Sequence, residues 1–345
     1  MTGVTTSVRA GVAHLVLDRA AALNALDAEM VTAMRTALDR WRDDPDVRTV
    51  VVRSAVPKAF CAGGDVRALR EAVLRDEHGT ARGFFRAEYA LNREIAEYPK
   101  PYVSLIDGIA MGGGLGISVH GAVRVATERA VFAMPETAIG FVPDVGSCYF
   151  LPRLQGAYGR YLGLTGARLD GARSVGAGLA THFVASAELP EFISALGTTG
   201  LDDLLDKAAR PVPAEADGLR GAVDAVFAPG SLDEIDERLR THERAGVPGA
   251  GGAEWAARTR ALLAAASPLS LRLTDELLRL GARDDLAGCL RRDLTVASRL
   301  VREPDFAEGV RAVLVDKTRD AHWTHTSPAA VPDELVRALL ADEAP

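Results

Sequence analysis

No stretch of this chain restricts its fold as much as Asp107-Gly108-Ile109-Ala110-Met111-Gly112-Gly113-Gly114-Leu115-Gly116, which follows the apolar run Val103 to Ile106. The run reads as a buried strand, and the glycines after it let the backbone turn tightly and present bare N–H groups. Ile117-Ser118-Val119 contains no breaker, so a helix is expected to begin at or near Gly113. Its free amides and positive dipole end would then point into the space the glycines open. Developing negative charge would be stabilised there. Ala59-Phe60-Cys61-Ala62-Gly63-Gly64-Asp65 repeats the arrangement after a second apolar run, Val47 to Val52. Seen alone, glycines at such a junction more often serve close packing. Two such turns, with Glu136 and Asp144 downstream, shift the balance toward a site.

Elsewhere the chain alternates strands and helices. Val12 to Leu17 reads as a strand. Asp27 is placed to cap a helix with Met30, Met34, Leu38 and Trp41 at helical spacing, and Asp65 could cap a second carrying Val66, Leu69 and Val73. A third runs from Ala81 to Glu97 and is stopped by Pro99 and Pro101. Val123–Ala126 and Ala130–Ala133 read as short strands, so strand, strand, helix is the repeating unit. Between about 185 and 265, Pro211, Pro213 and Gly246-Val247-Pro248-Gly249-Ala250-Gly251-Gly252 interrupt weakly patterned acidic helices. Ser267-Pro268-Leu269 then opens long helices with Leu271, Leu277, Leu278, Leu286, Leu290 and Leu294 for packing. Three segments are expected: a core over 1–185, a variable, partly flexible helical segment over 186–266, and a helical C-terminal region over 267–345.

With 345 residues, nearly half of them hydrophobic, the chain can bury a sizeable core without disulfides. Cys61, Cys148 and Cys289 are too few and too scattered for a disulfide framework, so a reducing, cytoplasmic setting is expected. A net charge of -7 argues against nucleic acid or anionic membranes as partners. No apolar run is long enough to span a bilayer, and Met1-Thr2-Gly3-Val4-Thr5 lacks the regions of a signal peptide. The seven histidines show no ligand spacing, so no metal site is expected.

Three motifs in order carry a resemblance: Ala59–Asp65, Met111–Gly114, and Phe132-Ala133-Met134-Pro135-Glu136-Thr137-Ala138-Ile139-Gly140. Together they look like the crotonase (enoyl-CoA hydratase/isomerase) superfamily. Within it, Pro143-Asp144-Val145-Gly146, Tyr149–Leu154 and Asp305–Ala312 with Asp316, Lys317 and Trp323 are similar to the 3-hydroxyisobutyryl-CoA hydrolases. The resemblance implies an α/β fold, a crotonase-like spiral of repeated ββα units, with a helical C-terminal region covering an acyl pocket. It implies an acyl-CoA whose thioester oxygen lies between the backbone amides of Gly64 and Gly113. Losing one such donor typically costs about 3 kcal/mol of transition-state stabilisation.

In the same way it implies Glu136 and Asp144 as catalytic residues, Glu136 either attacking the thioester to form an anhydride or activating water, Asp144 holding the substrate hydroxyl or assisting proton transfer, with Glu88 also at the substrate. The expected reaction is hydrolysis of a short branched 3-hydroxyacyl-CoA, with 3-hydroxyisobutyryl-CoA in valine breakdown as best fit. No cofactor beyond the CoA of the substrate is implied, and relatives of this kind often associate as homo-oligomers. Hydratases of the superfamily place a first glutamate where this chain has Gly116, so a dehydrating pair is incomplete here. Ser147-Cys148 stands where the hydrolases usually carry two glycines. A hydratase or isomerase using Glu136 with Asp144 stays open, as does a CoA-binding subunit without activity.

Glu136 after a proline could cap a helix, Pro143-Asp144 is a common turn pair, and Glu88 alone reads as a solvated helix residue. Gly116-Ile117-Ser118-Val119-His120 falls one glycine short of a nucleophile elbow, so Ser118 is expected to pack in a helix. Cys61 is expected to be a small buried hydrophobe.

Overall fold

A computed structural model describes residues 2–211, 218–246, 249 and 251–341. Pro213, Val247, Pro248 and Ala250, expected above to interrupt helices, lie outside the described residues. Among the described residues ten strands form: β1 (Val4–Arg9), β2 (Val12–Leu17), β3 (Thr49–Ser54), β4 (Ala59–Cys61), β5 (Tyr102–Ile106), β6 (Ile109–Met111), β7 (Val123–Ala126), β8 (Val131–Ala133), β9 (Leu169–Asp170) and β10 (His182–Phe183). They make a six-stranded sheet in the order β1-β2-β3-β5-β7-β10 and a four-stranded sheet in the order β4-β6-β8-β9.

The two orders show the repeat. Each of β3, β5 and β7 is followed by a short strand, β4, β6 and β8, that joins the other sheet. Beside β2, the strands β3, β5 and β7 pair in parallel, with Val51 opposite Val103 and Val103 opposite Val123. A parallel strand needs cover on both faces, which is why valine, leucine and isoleucine dominate these runs. Val50, Val51, Val52, Val103, Val125 and Ile106 have no exposed surface. The helix expected after Asp27 is α1 (Ala28–Arg42), and the Asp27 carboxylate accepts a hydrogen bond from the Met30 N–H at 2.8 Å. Next come α2 (Val66–Leu74) and α3 (His78–Ala96), close to the expected bounds.

The helix expected to begin at or near Gly113 does begin there, but it is shorter than the residues after it suggest. The helix at the central glycines, α4, spans only Gly113–Gly116. The Ser118 hydroxyl donates back to the Gly114 carbonyl at 2.7 Å, and the Tyr102 hydroxyl donates to the Ile117 carbonyl at 3.1 Å, so the backbone turns away instead of extending the helix.

The chain divides into two compact units, each discontinuous in sequence. The first comprises Met1–Asp65, Ala87–Phe132 and Arg168–Ala216, and holds both sheets, α1, α4 and the second half of α3. Its core gathers Val51, Val103 and Val125 with Leu189, Phe192 and Leu205. The second comprises Val66–Arg86, Ala133–Ala167 and Asp217–Pro345. It contains the helices Pro268–Gly281, capped by Ser267, and Leu286–Leu300, capped by Asp285, then Pro304–Val310. None of the described helices is long and apolar enough to cross a membrane.

Candidate functional site

In the first unit the two glycine-rich turns meet. The β4 turn is pinned to residues 23–26: the Ala62 N–H donates to the Leu23 carbonyl at 3.1 Å, Leu26 N–H to the Gly63 carbonyl at 2.7 Å, and Asp65 N–H to the Leu26 carbonyl at 2.8 Å. At the β6 turn, Leu115 and Gly116 N–H both donate to the Gly112 carbonyl and Ile117 N–H donates to that of Gly113. None of these bonds uses the amide of Gly64 or of Gly113. A Cβ at Gly113 would lie 3.2 Å from the Gly64 N, and one at Gly114 only 2.3 Å from the Cys61 carbonyl oxygen, so the turns are in backbone contact. A side chain at Gly114 is excluded. Because α4 is a single turn, the dipole contribution expected of a longer helix is absent, and the corner is built of backbone from the two turns.

Glu88 joins them. Carried on α3, it is 2 % exposed, and its Oε1 lies 2.4 Å from where a Gly113 Cβ would stand. The solvated alternative for Glu88 is therefore wrong. Cys61 is wholly buried, and burial pushes its thiol up to about 12, far from a thiolate nucleophile at neutral pH. Ser118 is occupied by carbonyls of its own turn.

Asn24 was not singled out by sequence, yet it fixes the approach to β4. It is fully buried with φ +58°, donates to the Ser54 hydroxyl at 2.8 Å and the Phe60 carbonyl at 3.0 Å, and accepts from the Arg19 N–H at 2.7 Å. Asn is among the few residues that enter this region readily.

The second unit carries Glu136 and Asp144, 7 % and 6 % exposed. Glu136 opens a 3₁₀ turn, Glu136–Ile139, closed by Gly140 at φ +69°. That turn is gripped from several sides. Ser267 N–H donates to the Thr137 carbonyl at 3.0 Å, and the Thr137 hydroxyl donates to the Leu164 carbonyl at 3.1 Å. A Cβ on Gly140 would meet the Asp305 carbonyl oxygen at 2.1 Å, and one on Gly309 the Ile139 carbonyl carbon at 2.3 Å, so the helix Pro304–Val310 lies directly on the turn. Asp305, 1 % exposed, accepts from the Ser267 hydroxyl at 2.6 Å and the Thr324 N–H at 2.8 Å. Buried carboxylates held this way belong to a rigid polar scaffold.

Two open cavities of about 590 and 570 Å³ also lie in this unit, lined by Arg272, Glu276 and Arg337 and by Leu151, Arg160 and Phe227 respectively. Neither is lined by Glu136 or Asp144. Arg160 is already engaged by Asp275 and by the carbonyls of Ala228 and Gly230, so it is not a waiting anion site.

A sequence profile of the Enoyl-CoA hydratase/isomerase family matches residues 12–340. The 3-hydroxyisobutyryl-CoA hydrolase, mitochondrial, of Xenopus tropicalis is 40% identical over 341 residues, covering 95% of this chain and 86% of that protein. The small ribosomal subunit protein mS47 of Neurospora crassa is 38% identical over 338 residues, 92% of this chain and 66% of its own length. Among solved structures, a carnitinyl-CoA dehydratase from Mycobacterium thermoresistibile superposes with a TM-score of 0.92 at 37% identity, covering 99% of this chain and 97% of that one. The expected crotonase-like spiral with its helical C-terminal region is thus the fold observed, and the chain belongs to the enoyl-CoA hydratase/isomerase family, the crotonase superfamily.

Proposed function

We propose that this protein hydrolyses the thioester of a short branched 3-hydroxyacyl-CoA, with 3-hydroxyisobutyryl-CoA as the substrate and 3-hydroxyisobutyrate and CoA as products, a step of valine breakdown. The observation that carries the reading is 40% identity across 95% of the chain to a protein named for that hydrolysis. The residue inventory agrees: Gly116 leaves α4 without a carboxylate, whereas Glu136 and Asp144 are both present and both buried.

In this reading the Gly64 and Gly113 amides take the thioester oxygen as it gains charge. Glu136 either attacks the carbonyl carbon, so that the C–S bond breaks, CoA leaves as a thiolate protonated from water and a second step hydrolyses the anhydride with water, or takes a proton from the attacking water and returns it to the departing thiolate; Asp144 and Glu88 hold the acyl group and its hydroxyl. No cofactor besides the substrate's CoA is needed. Three buried free cysteines fit a reducing compartment, which the cytoplasm and the mitochondrial matrix both are.

Release of free thiol from 3-hydroxyisobutyryl-CoA by the purified protein is the test. Glu136→Gln should lower turnover by roughly 10²- to 10⁴-fold. The name of the Mycobacterium thermoresistibile neighbour favours a second reading, dehydration or hydration of an acyl-CoA. Water addition to crotonyl-CoA with no thiol release would decide for it. If neither reaction occurs while acyl-CoA still binds, the protein is a binding subunit.

A further inference from the structure

Asp144 sits on a turn that its own residues do not favour. The Ser147 N–H donates to the Asp144 carbonyl at 2.8 Å, closing a four-residue turn whose middle residues, Val145 and Gly146, have φ of +54° and +80°. Positive φ at both middle positions is the pattern of a type I′ turn, which selects Asn, Asp or Gly. A β-branched residue there is an outlier that persists only where the surroundings impose it.

Asp293 supplies the constraint. It lies on the helix Leu286–Leu300, 1 % exposed. Its Oδ2 accepts from the Gly146 N–H at 2.7 Å and its Oδ1 from the Cys148 thiol at 3.5 Å. The helix Pro268–Gly281 also packs closely on Cys148: a Cβ on Gly281 would meet the Cys148 carbonyl oxygen at 2.0 Å. Bonds to a desolvated carboxylate are strong ones. Burial, and next the like charge of Asp144, push the Asp293 carboxyl well above the ordinary range, so the two acids feel one another. The other titratable groups facing Asp293 are Cys148 from the turn and Cys289 one helical turn earlier, whose thiol donates to the Gly281 carbonyl. The nearby cation, Arg292, is paired with Asp284 at 2.7 Å.

We infer that Asp293 is the positioning residue for Asp144: by holding the Gly146 N–H and the Cys148 thiol, it fixes the turn that sets the direction of the Asp144 carboxylate. The inference rests on the hydrolase reading, in which Asp144 takes the substrate hydroxyl. Its consequence is selectivity, because a displaced Asp144 matters only to an acyl group that carries the hydroxyl.

The test compares thiol release from 3-hydroxyisobutyryl-CoA and from isobutyryl-CoA by the full-length protein, Asp293→Ala and Asp293→Asn. For Asp293→Ala, kcat/KM on the hydroxylated ester should fall roughly 100-fold, with little change on the bare ester. Asp293→Asn, whose amide oxygen can still accept from Gly146, should recover most of the preference. Equal losses on both esters, or an Asn variant no better than Ala, would overturn the assignment. A second measurement needs no turnover: the Asp293 carboxyl, followed by carbon-13 NMR, should titrate at lower pH in Asp144→Asn than in the unmodified protein. An unchanged midpoint also overturns the pairing, and this titration decides alone if Asp293→Ala does not fold. If the unmodified protein releases thiol from neither ester, the hydrolase reading fails, while the titration still reports on the Asp144–Asp293 relation.

Discussion

The Oε1 atom of Glu88 lies 2.4 Å from the place a methyl group would occupy on Gly113. Gly113 does not have a positive φ, so alanine is compatible with its backbone, and the severe conflict is with the Glu88 carboxylate, the Gly63–Gly64 peptide lying 3.2–3.3 Å away. Gly113→Ala should therefore fold with a thermal midpoint near that of the unmodified protein. It should lose roughly 100- to 1,000-fold in kcat, as expected when an oxyanion donor is displaced. Thiol release and thermal melting measured on one preparation check both halves, and undiminished turnover would remove Gly113 from the site.

Gly140 presents the opposite case, in which stability fails first. Its φ is +69°, and an added Cβ would stand 2.1 Å from the Asp305 carbonyl oxygen and 2.8 Å from the Phe306 N, both backbone atoms that cannot swing away. Gly140→Ala combines backbone strain with overpacking and should cost roughly 2–4 kcal/mol. Urea unfolding reads it, and a change within the error of the extrapolation would mean that the helix Pro304–Val310 does not clamp the Glu136 turn.

Asn24 leaves buried carbonyls behind when it is removed. Asn24→Ala takes away the donors to the Ser54 hydroxyl and the Phe60 carbonyl and the acceptor for the Arg19 N–H, at a left-handed position alanine dislikes. A loss of about 2–4 kcal/mol is expected. Asn24→Gly, which relieves the backbone but not the bonds, should restore only part of it in the same unfolding assay.

What the sequence made legible were features whose cause is local. Continuous apolar runs became β3 and β5, and Asp27 capped α1 because its partner N–H is three residues away. Glu88 was locally visible too: it lies on the stripe of α3 that carries Ala81, Phe84, Phe85 and Ile95, and a carboxylate on an apolar stripe is either buried for a reason or evidence against the helix. Asp293 follows the same logic beside Cys289, Val296 and Leu300. The start of α4 was legible but its length was not, because absence of a breaker is weak evidence where the preceding residues are glycines, which contribute little to helix stability, and where the Tyr102 hydroxyl bonds the Ile117 carbonyl from β5. The bond between Asp305 and Ser267 was out of reach: the two are 38 residues apart, and nothing in either local pattern names the other.

His14 gives a prediction about pH. It lies in the interior of β2, opposite Ser7 on one side and Val51 on the other, and is 8 % exposed. Burial first, then the positive charges of Arg53 and Arg9, lower its pKa below the ordinary 6.5, so the folded protein holds it neutral. The unfolded chain, with an ordinary histidine, binds a proton at a pH where the folded protein does not. Stability is therefore intact above pH 6.5 and declines as pH falls below it. His182, lowered by burial and then by Arg124, adds a contribution of the same sign. Carboxylates also titrate in acid, so the difference between proteins isolates the histidine: the urea midpoint of the unmodified protein should fall more steeply between about pH 6.5 and 5 than that of His14→Leu. Parallel curves would show that His14 is protonated as readily folded as unfolded, and that its place in the strand is not the dry one described.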